Sequence, residues 1–138
     1  MRKDGRPFRG VLFAGLMITP EGAPFLLEHN VRFGDPECEA IMELVTGDLA
    51  KLLASAARGE LDPAVIQITS GAALALVLAA PGYPAAPRTG APISGLDEAA
   101  AIEGVSVLHA GTAEKDGRLV TAGGRVLAIT ASANTLAE

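Results

Sequence analysis

The chain has 138 residues, an apolar fraction of 49% and a net charge of −5 from 11 basic and 16 acidic side chains; that is enough apolar material for a core, and it excludes intrinsic disorder. Eight arginines and three lysines are scattered singly, with no basic stripe to neutralise a run of phosphates, so nucleic acid is not an expected partner. The longest apolar run, residues 71–80, is about half a bilayer-spanning helix, no signal-peptide core follows the N-terminus, and a single cysteine, Cys38, excludes an internal disulfide and any multi-cysteine metal site; a cytoplasmic protein with no membrane partner is expected.

In chain order, residues 8–19 are apolar and β-rich, Pro20-Glu21-Gly22 is a turn, and a second apolar run begins at Phe25. This pattern predicts a β-hairpin whose second strand continues to Phe33 and stops at Gly34-Asp35-Pro36. Asp35 can cap a helix and Pro36 fits a first helical turn, so a helix is expected there. Ile41, Val45, Leu49, Leu52, Leu53 and Ala56 keep helical spacing, while Thr46-Gly47-Asp48 reads as a break and a fresh N-cap, which predicts two short helices ending near Arg58-Gly59. Glu60-Leu61-Asp62-Pro63 reads as a boundary, because the residue before proline resists helical geometry. It divides the chain into 1–62 and 63–138.

Residues 64–80 read as strand with a bend at Ser70-Gly71, and Pro81-Gly82-Tyr83-Pro84 ends it. A short helix is expected over 96–102, then strands over 105–110, 111–115, 118–121 and 125–130, with Asp116-Gly117 the strongest hairpin signal. Residues 131–138 read as the beginning of a helix. The fold class is α+β, with a second lobe that is mainly β.

On a strand Glu28, Asn30 and Arg32 share one face, and His29, Val31 and Phe33 the other. A carboxylate and an amide oxygen two residues apart are hard ligands suited to Mg²⁺, and an arginine beyond them can hold a phosphate or carboxylate in a bidentate contact. The same alternation is also what the solvated face of an amphipathic strand shows, and spacing leaves both readings open.

The run Gly10-Val11-Leu12-Phe13-Ala14-Gly15-Leu16-Met17-Ile18-Thr19, followed by Leu27-Glu28-His29-Asn30-Val31-Arg32-Phe33-Gly34-Asp35-Pro36-Glu37, resembles the phosphoribosylamine–glycine ligase family of ATP-grasp enzymes. The resemblance continues through Ala80-Pro81-Gly82-Tyr83-Pro84, His109-Ala110-Gly111-Thr112 and Thr121-Ala122-Gly123-Gly124-Arg125-Val126-Leu127, nearly the whole chain. It implies the end of an ATP-grasp domain (a β-hairpin plus helices), then a small β-rich C-terminal domain of the rudiment single hybrid motif type. It also implies a chemistry in which ATP phosphorylates the glycine carboxylate. The amine of 5-phosphoribosylamine then attacks the acyl phosphate, giving glycinamide ribonucleotide, ADP and phosphate in purine synthesis. By the resemblance, Glu28 and Asn30 match ligands of Mg²⁺ or Mn²⁺, and Arg32 an arginine that stabilises the transferred phosphate.

His29 stands where the family more often has phenylalanine; its position on the other strand face predicts packing against the core rather than metal binding. Asp35 is a weaker candidate for the amine substrate, with helix capping as its competing role. Cys38 reads as a buried small residue without chemistry. His109 and Arg125 lie in glycine-rich words that suit tight turns or packing against the ATP-grasp lobe, and Gly10, Gly15 and Gly34 read as bends or close-packing points.

Relative to the family, the N-terminal substrate domain and much of the ATP-grasp portion are missing, so ATP, glycine and the amine cannot be held together and the chain alone is expected to be inactive. A truncated product or half of a split enzyme both fit. An apolar strand edge over 11–18 favours self-association or pairing with the missing N-terminal portion. With two protein ligands in view, the chain alone is expected to bind metal weakly. The competing readings are a non-catalytic interaction or regulatory module derived from an ATP-grasp ligase, and another ATP-grasp carboxylate–amine ligase sharing the Glu-x-Asn-x-Arg strand.

Overall fold

The computed structural model describes residues Met1–Glu138, apart from the Arg2 side chain. Two compact units form: the first from Met1–Cys38 and Val45–Thr69, the second from Glu39–Leu44 and Ser70–Glu138. Among the described residues no helix is long and apolar enough to cross a membrane.

The first unit opens on an antiparallel hairpin of β1 (Phe13–Ile18) and β2 (Pro24–Asn30). Its turn is closed by the Thr19 amide donating to the Ala23 carbonyl at 3.0 Å, and Gly22 has φ +85°, a conformation glycine adopts without steric cost. Both strands are displaced from the sequence expectation. Residues 8–12 do not join β1, and β2 ends at Asn30, so Arg32 lies past the strand. The cause is pairing: the ladder closes at Phe13 opposite Asn30, and beyond it no facing backbone satisfies an extended chain. A one-residue irregularity follows Gly15, which faces Glu28 while Leu16 faces Leu26. Leu27 is the extra residue of this bulge.

Helix α1 (Glu37–Leu44) starts two residues later than Asp35, after a turn in which the Cys38 amide donates to the Gly34 carbonyl at 3.1 Å. Pro36 precedes the first helical turn instead of lying within it. At the expected break the chain forms β3 (Val45–Gly47), which pairs antiparallel with β4 (Ile66–Ile68). Three residues are too few to show a period, and their partner is twenty residues away, so this strand was invisible to local pattern. Asp48 then caps α2 (Leu49–Arg58), accepting from the Lys51 amide at 2.8 Å, and Gly59 ends it in the left-handed conformation at φ +79°, both as the sequence predicts. Ser55, 2% exposed, donates to the Leu52 carbonyl at 2.7 Å and accepts from the Asp62 amide at 3.0 Å, fastening the exit from α2.

The second unit is built on a three-stranded antiparallel sheet in the order β5 (Ala72–Ala79), β9 (Arg125–Ala133), β6 (Val105–His109). Central β9 carries the core: Val126, Leu127 and Ala128 are buried with Ala80, and Ile93, Leu96 and Val107 pack around them. β9 extends three residues past 130, so the helix expected over 131–138 does not form; pairing with β5 as far as Ala133, and with β6 at Ala131, holds this segment extended. Residues 64–80 bend at Ser70-Gly71 as the sequence predicts, with β4 paired to β3 before the bend and β5 after it. Helix α3 (Leu96–Ala100) is two residues shorter than expected. The hairpin of β7 (Thr112–Lys115) and β8 (Arg118–Thr121) turns at Asp116 and Gly117, φ +52° and +69°, the two positive values a tight two-residue turn requires.

Thr130 is the most buried side chain, at 0% exposure, and its hydroxyl donates to the Glu43 carboxylate. A methyl cannot replace that donor, so Thr130→Val leaves a carboxylate oxygen without its partner. The expected loss is about 1–3 kcal/mol in urea unfolding, against about 1 kcal/mol for removal of the α2 cap in Asp48→Ala.

Candidate functional site

The hairpin register decides what the polar side chains of β2 can do. Glu28 and Asn30 lie on one face of the strand, opposite Gly15 and Phe13. The Asn30 side-chain amide donates to Glu28 Oε1 at 2.9 Å, so the expected juxtaposition forms. Gly15 makes room for it: a Cβ there would stand 3.3 Å from Glu28 Cγ, which explains the glycine as a close-approach point.

The donor set suits a hard divalent cation. Glu28 retains Oε2, and rotation of the Asn30 amide presents its carbonyl oxygen where the NH₂ now answers the carboxylate, so both residues can offer oxygen to one ion. The remaining coordination of Mg²⁺ is normally water and phosphate, and the site is open: a cavity of about 410 Å³ is lined by residues of β1 and β2 together with Glu37 at the start of α1. Among the described residues no group of three or more His, Cys, Asp or Glu side chains gathers; the two oxygen donors are not part of a closed protein cage.

Arg32 does not join them. Its guanidinium donates through Nη1 to the Phe33 carbonyl at 2.8 Å, in the bend after β2. Asp35 is exposed in the turn before α1. His29 is exposed, facing Ala14 across the ladder, which corrects the expectation that it packs against the core: a two-stranded hairpin buries little on either face. In the second unit His109 Nδ1 lies 3.1 Å from Thr112 Oγ1. The glycines around it are packing points: Gly111 donates to the Arg125 carbonyl at 2.8 Å, and a Cβ at Gly124 would stand 2.5 Å from the Tyr83 ring.

Glu37 escaped the sequence reading. It belongs to the helix, not the strand, so no spacing rule ties it to Glu28; only the return of α1 over Gly34 brings it to the same cavity.

Comparison with known proteins identifies the family. Residues 1–38 match the family model "Phosphoribosylglycinamide synthetase, ATP-grasp (A) domain" and residues 73–138 the model "Phosphoribosylglycinamide synthetase, C domain". The whole chain aligns with phosphoribosylamine–glycine ligases of Brucella melitensis at 49% identity, covering 32% of that protein, and of Vigna unguiculata at 45% identity, covering 45%. A crystal structure of phosphoribosylamine–glycine ligase from Thermotoga maritima superposes with a TM-score of 0.77 at 41% identity, over 99% of this chain and 33% of the other. The chain thus spans about a third of the length of most of these relatives. From matches that run in order through both domain models, at about half identity over its full length, the chain belongs to the phosphoribosylamine–glycine ligase family.

Proposed function

We propose that this chain is the C-terminal portion of an ATP-dependent ligase that joins glycine to 5-phosphoribosylamine in purine biosynthesis, acting in the cytoplasm. The observation that carries the reading is the Glu28–Asn30 pair, joined at 2.9 Å, with Glu28 lying over Gly15 at an open cavity of the hairpin. In this reading residues 1–62 complete an ATP-grasp domain and 63–138 form the small β-rich domain, of the rudiment single hybrid motif type.

Glu28 and Asn30 would hold Mg²⁺ or Mn²⁺. The ion, when bound, neutralises charge on the ATP phosphates as the phosphoryl group moves to the glycine carboxylate. Arg32 serves the transferred phosphate once its guanidinium exchanges the Phe33 carbonyl for phosphate oxygens, a stronger, charge-assisted pairing. Asp35, exposed in the neighbouring turn, is a secondary candidate for the incoming amine.

The surface supports a partner in the rest of the ligase. Leu16, Met17, Ile18, Phe25, Leu26 and Leu27 of the hairpin are each more than half exposed, an apolar concentration that water-facing strands avoid. The missing N-terminal portion would cover it. Without that portion the chain is expected to self-associate, and sedimentation should show a rise in mass across the micromolar range; a well-folded monomer throughout contradicts this.

The central test is ATP-dependent formation of glycinamide ribonucleotide from phosphoribosylamine and glycine. The chain alone should be inactive, and activity should appear when the N-terminal portion of the same ligase is supplied. In the reconstituted or full-length enzyme, Glu28→Ala and Asn30→Ala should each lower turnover about 100-fold or more, since metal stabilisation of phosphoryl transfer supplies several kcal/mol. Turnover unchanged in both variants would overturn the assignment.

A further inference from the structure

Strand β5 is an outer strand of its sheet: β9 pairs along one side, and among the described residues no strand pairs along the other. Such an edge is normally shielded by a charge or a proline. Ala72–Ala79 has neither, and no Asp, Glu, Lys, Arg or His occurs anywhere from residue 63 to 87. Leu74, Leu76 and Leu78 alternate onto one face and stay 58%, 55% and 43% exposed, while Ile93, Leu96 and Val107 pack around Leu127 on the neighbouring β9. The other outer strand, β6, differs: it has five residues, is half-buried over Val105–Val107 and ends on His109. At one end the leucine stripe of β5 runs into an open cavity of about 440 Å³, lined by Leu74 with Ile102, Val105 and Leu136. Ile102 and Leu136 are themselves exposed, and the whole stripe leaves on the order of 500 Å² of apolar surface in water, the upper range for a monomer's largest patch.

We propose that β5 is the two-fold seam of a dimer, pairing antiparallel with β5 of a second copy so that two three-stranded sheets become one of six strands. The residue order names the partner. From Ala72 to Ala80 the chain reads Ala-Ala-Leu-Ala-Leu-Val-Leu-Ala-Ala, the same in both directions about Leu76 except that Ala75 answers Val77. Antiparallel pairing about a two-fold at Leu76 therefore sets Leu76 opposite itself, Leu74 opposite Leu78 of the second copy, and alanine opposite alanine at the ends, with every leucine on one face. Leu78 of the second copy then stands beside Leu74 at the cavity rim, where Ile102 and Leu136 form the facing wall. Each chain carries a net charge of −5, and the seam lies in an uncharged stretch where like charges do not meet. The leucine patch and the backbone edge together approach the buried area of a stable complex, about 800 Å² per partner.

The test is sedimentation of this chain carrying L26K, which blocks self-association through the apolar hairpin, beside the same chain with L76K added, folding of both being checked by circular dichroism. The L26K chain should form a dimer in the micromolar range and no larger species. Adding L76K should weaken that dimer about 100-fold or more, since it sets two like charges against each other on the two-fold. Cross-linking under mild oxidation in a C38S background reads the register. L76C should link to its own copy, because facing Cα atoms about 4.5–5.5 Å apart suit a disulfide, whereas L74C should link only when mixed with L78C. In the unsubstituted chain, amide hydrogen exchange over residues 72–79 should slow as concentration rises. A monomer throughout in the L26K chain, association insensitive to L76K, or self-linking of L74C as ready as that of L76C overturns the proposal. If the variants do not fold, exchange over 72–79 that is independent of concentration in the unsubstituted chain overturns it in their place.

Discussion

The register of the β1–β2 hairpin is the constraint on which the candidate site depends. Side chains on a strand alternate, so a slip of one residue would turn Glu28 and Asn30 to opposite duties from those they now share. The bulge at Leu27 fixes the alternative that occurs, with Glu28 opposite Gly15 and Asn30 opposite Phe13. Because Gly15 has no side chain, the Glu28 Cγ lies close over the backbone, and its carboxylate accepts from the Asn30 amide. A bulge beside a functional face is a familiar way of re-aiming a side chain, and here it separates the apolar end of the hairpin from its polar end.

The second unit solves a different problem. Its central strand is buried along much of its length and is bonded on both sides, so its stability rests on close packing and on the polar exchange between Thr130 and Glu43. A buried hydroxyl is tolerable only when its donor is used. The glycines at 111, 123 and 124 belong to the same economy of space: Gly111 and Gly123 approach backbone to backbone, and Gly124 admits the Tyr83 ring. These contacts account for the glycine-rich words without invoking a phosphate-binding loop, which would need amide groups converging on an anion at a helix start.

Much of the architecture was legible where the signal is local. Asp48 and Gly59 bound α2 because capping chemistry acts within a few residues, and Asp116-Gly117 turns a hairpin because two consecutive positive φ values admit few residue pairs. Glu28 and Asn30 were legible because an i, i+2 spacing on a strand has one geometric meaning. Arg32 follows the same spacing but falls beyond the last ladder pair, where alternation no longer governs direction, and its guanidinium turns to the Phe33 carbonyl.

The residues alone therefore determined the α+β class, the hairpin, the capped helix α2 and the paired oxygen donors, all consequences of short-range periodicity and turn chemistry, while family membership followed from motifs running in order along the chain. Tertiary structure decided the rest. Pairing of β3 with β4 and the extension of β9 to Ala133 are set by partners distant in sequence, and His29 is exposed because a strand face is buried only when something packs on it. The meeting of Glu37 with the Glu28 cavity is of the same kind: it joins a helix start to a strand through a glycine whose importance is the volume it leaves empty, and volume is a property of the folded chain that no one-dimensional spacing records.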